Sequence, residues 1–251
     1  MIDDPYRDAD LVGLYDLDNP GGEDHAFFGA LAEQIDAHSI IDLGCGTGLL
    51  TRSLARPGRT VIGVDPSRTM LDYARRQPGS EYVTWAQGYA SALAPTGTVD
   101  LVLCTGNAIM HVSAEELPST LTSIAGALCP DGIVCFESRN PACRAWRHWT
   151  PAATYSERVT PAGRLQEWLE VTDVSEGRVV FDAHNVFPDG EDRVYTSTLF
   201  FRSAEEIQRE LEAAGFTDVT CTGDWHGAPV EDESRILVFR AQRFQAETVA
   251  S

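Results

Sequence analysis

Basic residues are scarce in this 251-residue chain: Lys+Arg number 19 against 38 Asp+Glu, a formal net charge of -19. Neutralising a phosphate backbone needs clustered cations, so DNA and RNA are excluded as expected partners, and anionic membrane surfaces with them. No apolar run approaches the roughly 18 residues needed to span a bilayer. The opening "MIDDPYRDAD" lacks the basic and apolar regions of a secretory signal. The six cysteines (Cys45, Cys104, Cys129, Cys135, Cys143, Cys221) contain no C-x-x-C pair and sit mostly in apolar runs. That excludes a disulfide framework or a metal knuckle and reads as small buried hydrophobes in a reducing compartment. A soluble cytoplasmic protein with no metal is the resulting expectation. No internal repeat or low-complexity tract interrupts the chain. What is present is a 43% hydrophobic content, enough for a sizeable core.

From Ser39 to Ser138, short β-rich runs ("SIIDL", "TVIGV", "YVTW", "VDLVLC", "IVCFES") alternate with helical-length segments such as "LLTRSLAR" and "SRTMLDYARRQ". That alternation predicts βαβ units and a parallel sheet. In "EELPSTLTSIAGAL", Leu117, Leu121, Ile124 and Leu128 fall at near-helical spacing, and Ser113 with Glu116 suits a capping box. "EDHAFFGALAEQI" reads as an earlier helix. After Pro141 the period changes to two. "LQEWLEVTDV", "RVVFDAHNVF" and "RVYTSTLFF", separated by "SEG" and "PDGED", predict a three-stranded antiparallel meander. "AEEIQRELEAAGF", "TDVTC" and "RILVFRA" then resume the α/β pattern, with Gly215 as a helix C′ glycine. The expected organisation is an α/β core with an N-terminal helical segment over 1–141, an inserted β cap over 142–202, and core completion over 203–251.

The stretch "IIDLGCGTGLLT" places Gly44, Gly46 and Gly48 at the carboxyl end of the first strand, where ligands bind in open parallel sheets. A glycine there permits positive φ or close approach of something large. The arrangement is G-x-G-x-G. A dinucleotide fingerprint would need glycine at Leu49, which argues against NAD and an oxidoreductase. The second strand ends in Asp65, the separation at which an acid meets ribose hydroxyls. Asp42, at the end of strand one, is expected to hold the glycine loop through backbone amides.

"IIDLGCGTG", "VIGVDPSRTMLDYAR" and "LCPDGIVCFES" together resemble three motifs of the class I S-adenosylmethionine-dependent methyltransferases, a likeness that covers nearly the whole chain. It implies a Rossmann-like doubly wound, mostly parallel seven-stranded sheet with helices on both faces. It also implies S-adenosylmethionine as cofactor, with S-adenosylhomocysteine as product. Gly44, Cys45, Gly46, Gly48 and Leu49 would lie against the methionine part and Asp65 would bind the ribose. Pro66, Ser67 and Met70 would border the adenosine. Gly88, Tyr89 and Ala90 stand where the family usually carries an acid for the adenine amino group. That departure supports one rival, a protein of this fold that binds the cofactor without transferring methyl, as a regulator, a scaffold or a recruited cyclisation catalyst. Thr105, Gly106 and Asn107, after strand four, would lie between cofactor and acceptor.

"LYDLDNPGGEDHAFF" resembles the family's mobile entrance segment, so Tyr15 either closes over the cofactor carboxylate or belongs to a solvated acidic loop. His111 is the leading base or substrate contact, against a histidine that merely packs. Arg139 and Asn140 follow the fifth strand as substrate-facing residues. Trp146 and Trp149 either line the acceptor pocket or seat the insertion on the core. Trp225 in "GDWHG" reaches the pocket rim or the core. The implied activity is methyl transfer to N or O of a small organic metabolite bound under the cap, by a monomer or homodimer.

Overall fold

The computed structural model describes residues 4–161 and 163–244. The chain begins with two single-turn helices, α1 (Ala9–Val12) and α2 (Tyr15–Asp18), followed by α3 (Glu23–Gln34). Asp8 caps α1 by accepting from the amides of Asp10 and Leu11. Glu23 and Asp24 in the first turn of α3 suit the positive end of its dipole, and the helix buries Phe28, Leu31 and Ala32.

The α/β core follows as β1 (Ser39–Leu43), α4 (Leu49–Leu54), β2 (Thr60–Asp65), α5 (Arg68–Ala74), β3 (Thr84–Gln87), β4 (Val99–Cys104), α6 (Leu117–Ala127) and β5 (Leu128–Arg139). The capping box expected before α6 is formed, with Glu116 accepting from the Ser113 amide and donating its own amide to the Ser113 hydroxyl. Next come α7 (Pro151–Thr154), then β6 (Ser156–Thr160), β7 (Gly163–Ser175), β8 (Arg178–Val186) and β9 (Asp192–Phe200). α8 (Ala204–Ala213), β10 (Phe216–Thr222) and β11 (Ile236–Arg243) close the described chain. Ser203 and Glu206 box the start of α8, and Gly215 follows its end at φ +87°.

Seven strands form one sheet in the order β10-β11-β5-β4-β1-β2-β3. β1 through β5 pair in parallel, and β11 runs antiparallel to both β5 and β10. β1 has β2 on one side and β4 on the other, so the order reverses there and opens a crevice beyond the strand ends. One face of the sheet packs against α3 and α4 through Phe28, Leu50 and Leu101. The other packs against α6 and α8 through Leu121, Ile124 and Leu211.

The second sheet has four strands, β6-β7-β8-β9, where three were expected. The extra strand is "SERVT", a polar edge that pairs with β7 and leaves Val159 87% exposed. An edge strand buries little on either face, so it carries no alternation to read. The sheet clamps the N-terminal segment. Leu14 packs with Leu165 and Phe187, Arg158 pairs with Asp18, and Asp8 accepts from Tyr195 and Arg193.

Candidate functional site

Gly44, Gly46 and Gly48 all have positive φ, at +75°, +54° and +72°. The amides of Gly44 and Cys45 donate to the Val64 carbonyl at 2.7 and 3.1 Å. The Gly46 amide donates to Asp65 Oδ2 at 2.8 Å, and Asp65 Oδ1 accepts from the Ser67 amide at 2.8 Å. The end of β2 therefore holds the loop that follows β1. A side chain at Gly48 would strike the Trp85 ring at 2.2 Å, whereas one at Gly46 would meet nothing nearer than the Tyr15 ring at 3.8 Å. So Gly48 makes room for the protein's own tryptophan, and Gly46 borders the cavity within contact distance of the Tyr15 ring.

Asp42 does not hold this loop through backbone amides as expected. Its Oδ2 accepts from the Thr51 hydroxyl at 2.6 Å, and its Oδ1 has no partner among the described residues. The amides of Gly44, Cys45 and Gly46 are taken by β2, and that of Gly48 by the Cys45 carbonyl. Burial, with a smaller contribution from nearby Asp65, pushes its carboxyl up to about 6 from an ordinary 3.8. The stability this group contributes is present below about pH 4 and is lost as pH rises through about 6. Asp42→Asn is therefore expected to gain about 1–3 kcal/mol on the wild type between pH 4 and 7. Denaturant midpoints measured across that range check it, and parallel profiles would refute it.

Beside the loop lies a cavity of about 690 Å³. Of the residues expected at the cofactor, Tyr15, Gly44, Cys45, Gly46 and Leu49 line it, as do Thr105, Gly106 and Asn107. Asn107 stands at φ +60°, and its buried Oδ1 has no partner among the described residues. Burial drives the Cys45 thiol well above its ordinary value, so it is a protonated wall. Arg139 also lines the cavity.

Other expected residues lie elsewhere. Asp65 is 7% exposed beneath the loop, and burial raises its pKa against the pull of the Ser67 and Gly46 amides. Ser67 caps α5 through the Met70 amide, and Met70 and Ala90 are buried in the core. The Gly88 amide donates to the Asp65 carbonyl. Pro66 and Tyr89 are exposed, Tyr89 at 68%, so its ring joins no wall of the cavity. The N-terminal segment crosses this side: Ser67 donates to the Tyr6 carbonyl and Thr69 to the Arg7 carbonyl.

His111 meets that same segment. Its Nε2 is 3.5 Å from the Tyr6 hydroxyl with the rings 5.8 Å apart, and it does not line the cavity. Burial lowers its pKa, with Asp4 opposing. Asn140 is 5% exposed and engaged with Ala142 and Glu231. Trp146 and Trp149 pack on Phe201, with ring centroids 4.5 and 6.1 Å away, and so seat the insertion on the core.

Residues that sequence reasoning passed over complete the cavity. Glu137, two positions before Arg139 on β5, is 2% exposed. It accepts from the Gly106 amide at 2.9 Å and from the Trp225 indole at 2.7 Å. Burial raises its pKa, with Trp225 opposing. Trp225 thus meets both of its alternatives, lining the cavity while packing against the core. Asp24, His25 and Arg235 also line the cavity. Among the described residues, no member of the four-stranded sheet does so; that sheet reaches the cavity through the N-terminal segment it clamps.

The family description "Methyltransferase domain" matches residues 40–132. Over 251 aligned residues the chain is 30% identical to the cypemycin N-terminal methyltransferase of a Streptomyces species, covering 97% of this chain and 100% of that relative. The chain belongs to the class I S-adenosylmethionine-dependent methyltransferases. The methyltransferase is also 28% identical over 173 residues to the ubiquinone biosynthesis O-methyltransferase of Pectobacterium atrosepticum, spanning 63% of this chain and 70% of that one. The solved structure of the CcbJ methyltransferase from Streptomyces caelestis shares the fold, with a TM-score of 0.76 at 19% identity over 98% and 100% of the two chains.

S-adenosylmethionine is the cofactor of this methyltransferase. The residues present fit that group: Gly46 lines the cavity, Asp42 and Asn107 each bring to its wall an oxygen without a partner among the described residues, and each Asp65 oxygen accepts from one backbone donor, which leaves acceptor capacity. No helix of the described residues is long and apolar enough to cross a membrane.

Proposed function

We propose that the methyltransferase methylates the nitrogen of a small organic amine held in the cavity beside the glycine loop. The acidic lining carries this reading: Asp18, Glu23, Asp24, Asp42, Glu137 and Asp224 all contribute to the wall. Such a wall attracts a cation and repels an anionic nucleophile. His111, the imidazole expected as base for a hydroxyl acceptor, does not line it. The full-length relative from Streptomyces is named an N-terminal methyltransferase, which supports nitrogen as the target.

S-adenosylmethionine supplies a methyl group already activated on a sulfonium. The chain's own residues then have to align, dehydrate and move one proton. Gly46 and Asn107 would border the bound group at the ends of β1 and β4, and Asp65, whose oxygens each accept from one backbone amide, would take the sugar hydroxyls. Tyr15, held near the loop because Asp16 accepts from the Thr47 hydroxyl, excludes water. Glu137 and Asp24 draw in the protonated amine. Glu137, its pKa raised by burial, would accept the ammonium proton and free the lone pair for the methyl group that the bound cofactor would supply.

A labelled-methyl assay over amines, phenols and alcohols tests the reading. Label is expected on amines, with Glu137→Gln lowering kcat at least about 100-fold and His111→Ala leaving it within about threefold. Label found solely on oxygen would overturn it.

A further inference from the structure

The chain contains no lysine, so all 19 basic residues are arginines. Many of them are paired: Arg59 with Glu33, Arg158 with Asp18 and Glu167, Arg193 with Asp8 and Asp10. Arg139 and Arg235 differ. Both line the cavity, and the side chain of neither makes a hydrogen bond or ion pair with another described residue. Arg139 has the Trp149 ring at 5.8 Å as its neighbour. The two are adjacent, because Arg139 is paired with Ile236 in the β5–β11 register and Arg235 immediately precedes that residue. In a chain with 38 acids, these two neighbouring guanidiniums hydrogen-bond to no carboxylate among the described residues, with Glu137 acting on Arg139 only from a distance, and each raises the cost of the other. Burial, then Arg235, lowers the pKa of Arg139, with Glu137 opposing.

Glu137 lies on the same face of β5 two residues earlier, about 6.6 Å along the strand. A negative and a positive subsite thus stand side by side. We propose that Arg139 and Arg235 form a carboxylate-binding subsite of the cavity, so that the acceptor is a small amino carboxylate. The guanidinium fork matches a carboxylate in bidentate geometry. A dianionic phosphate would meet the surrounding acids at twice the charge, which selects the monoanion. The amine end of this acceptor rests on the reading above; the carboxylate end stands on the arginines.

The test uses the full chain saturated with S-adenosylhomocysteine, titrated with sodium acetate and with inorganic phosphate while tryptophan fluorescence is followed. Acetate is expected to saturate. Arg139→Gln and Arg235→Gln are each expected to weaken it at least about tenfold, with S-adenosylhomocysteine affinity kept within about twofold. Arg235 is exposed, so its variant keeps the fold, and Arg139→Lys, which retains the charge without the fork, is expected to recover part of the loss. Acetate affinity unchanged in both glutamine variants would sink the subsite. So would phosphate binding as well as acetate, or a matching fall in S-adenosylhomocysteine affinity, which would assign the arginines to the cofactor's own carboxylate. In the methyl-transfer assay, amines without a carboxylate reacting as well as amino carboxylates would remove the subsite and leave the amine reading standing. Acetate binding with no amine methylated would do the reverse.

Discussion

Gly48→Ala is expected to lower the melting temperature by roughly 5–20 °C, the largest single effect on stability proposed for this loop. Two costs combine. The residue sits at φ +72°, where a Cβ costs about 1–2 kcal/mol, and that Cβ would lie 2.2 Å from Trp85 Cη2, an overpacking worth about 1–3 kcal/mol. Trp85 has little freedom to yield. Its indole donates to the Ser80 carbonyl at 3.1 Å, and its ring also fills the space a side chain at Gly63 would need. Gly190→Ala is the control, since φ there is +82° but nothing lies within 4 Å of an added Cβ. Thermal denaturation of the two variants separates backbone strain from collision; equal shifts would show that Trp85 moves aside.

Asp65→Ala is expected to weaken binding of S-adenosylhomocysteine by about 1–3 kcal/mol, roughly 5- to 150-fold. The carboxylate has two tasks in one place. It ties the Gly46 amide to the end of β2, and its remaining acceptor capacity is what we propose for the ribose. Alanine would leave the Gly46 and Ser67 amides without their acceptor as well as removing the anchor, so calorimetry belongs at a temperature where circular dichroism shows the variant folded. An unchanged dissociation constant would move the ribose elsewhere. A loss of stability alone, with binding intact in the folded fraction, would reduce Asp65 to a clasp for the loop.

Much of the fold was legible because its signals are local. "SIIDL" is β1 residue for residue, and "VDLVLC" is β4. The capping residues before α6 and α8 and the glycine after α8 were readable for the same reason: each satisfies backbone groups within a few positions of itself. β6 was not legible, because its pairing partner and not its own side chains makes it a strand. The glycine loop was recognisable, yet the division of labour within it was not. Which glycine faces a tryptophan and which faces a cavity depends on Trp85, brought alongside by the β2–β3 pairing.

The candidate site shows the same boundary. Glu137 and Trp225 are 88 positions apart and meet at 2.7 Å because β11 returns antiparallel beside β5. No spacing rule links them. His111 offered the right chemistry in a suggestive segment but turned toward Tyr6, a contact across 105 positions.

The sequence by itself determined the α/β order, the glycine turn at the end of the first strand, the acid ending the second, and the change to a meander, since periodicity and turn chemistry act over neighbouring residues. The tertiary structure alone decided which side chains share the cavity, and that, among the described residues, one Asp42 oxygen has no partner and two arginines beside a buried glutamate make no ion pair. Those facts arise from strands and segments distant in the chain closing on one another, and burial and pairing have no value until that closure is made.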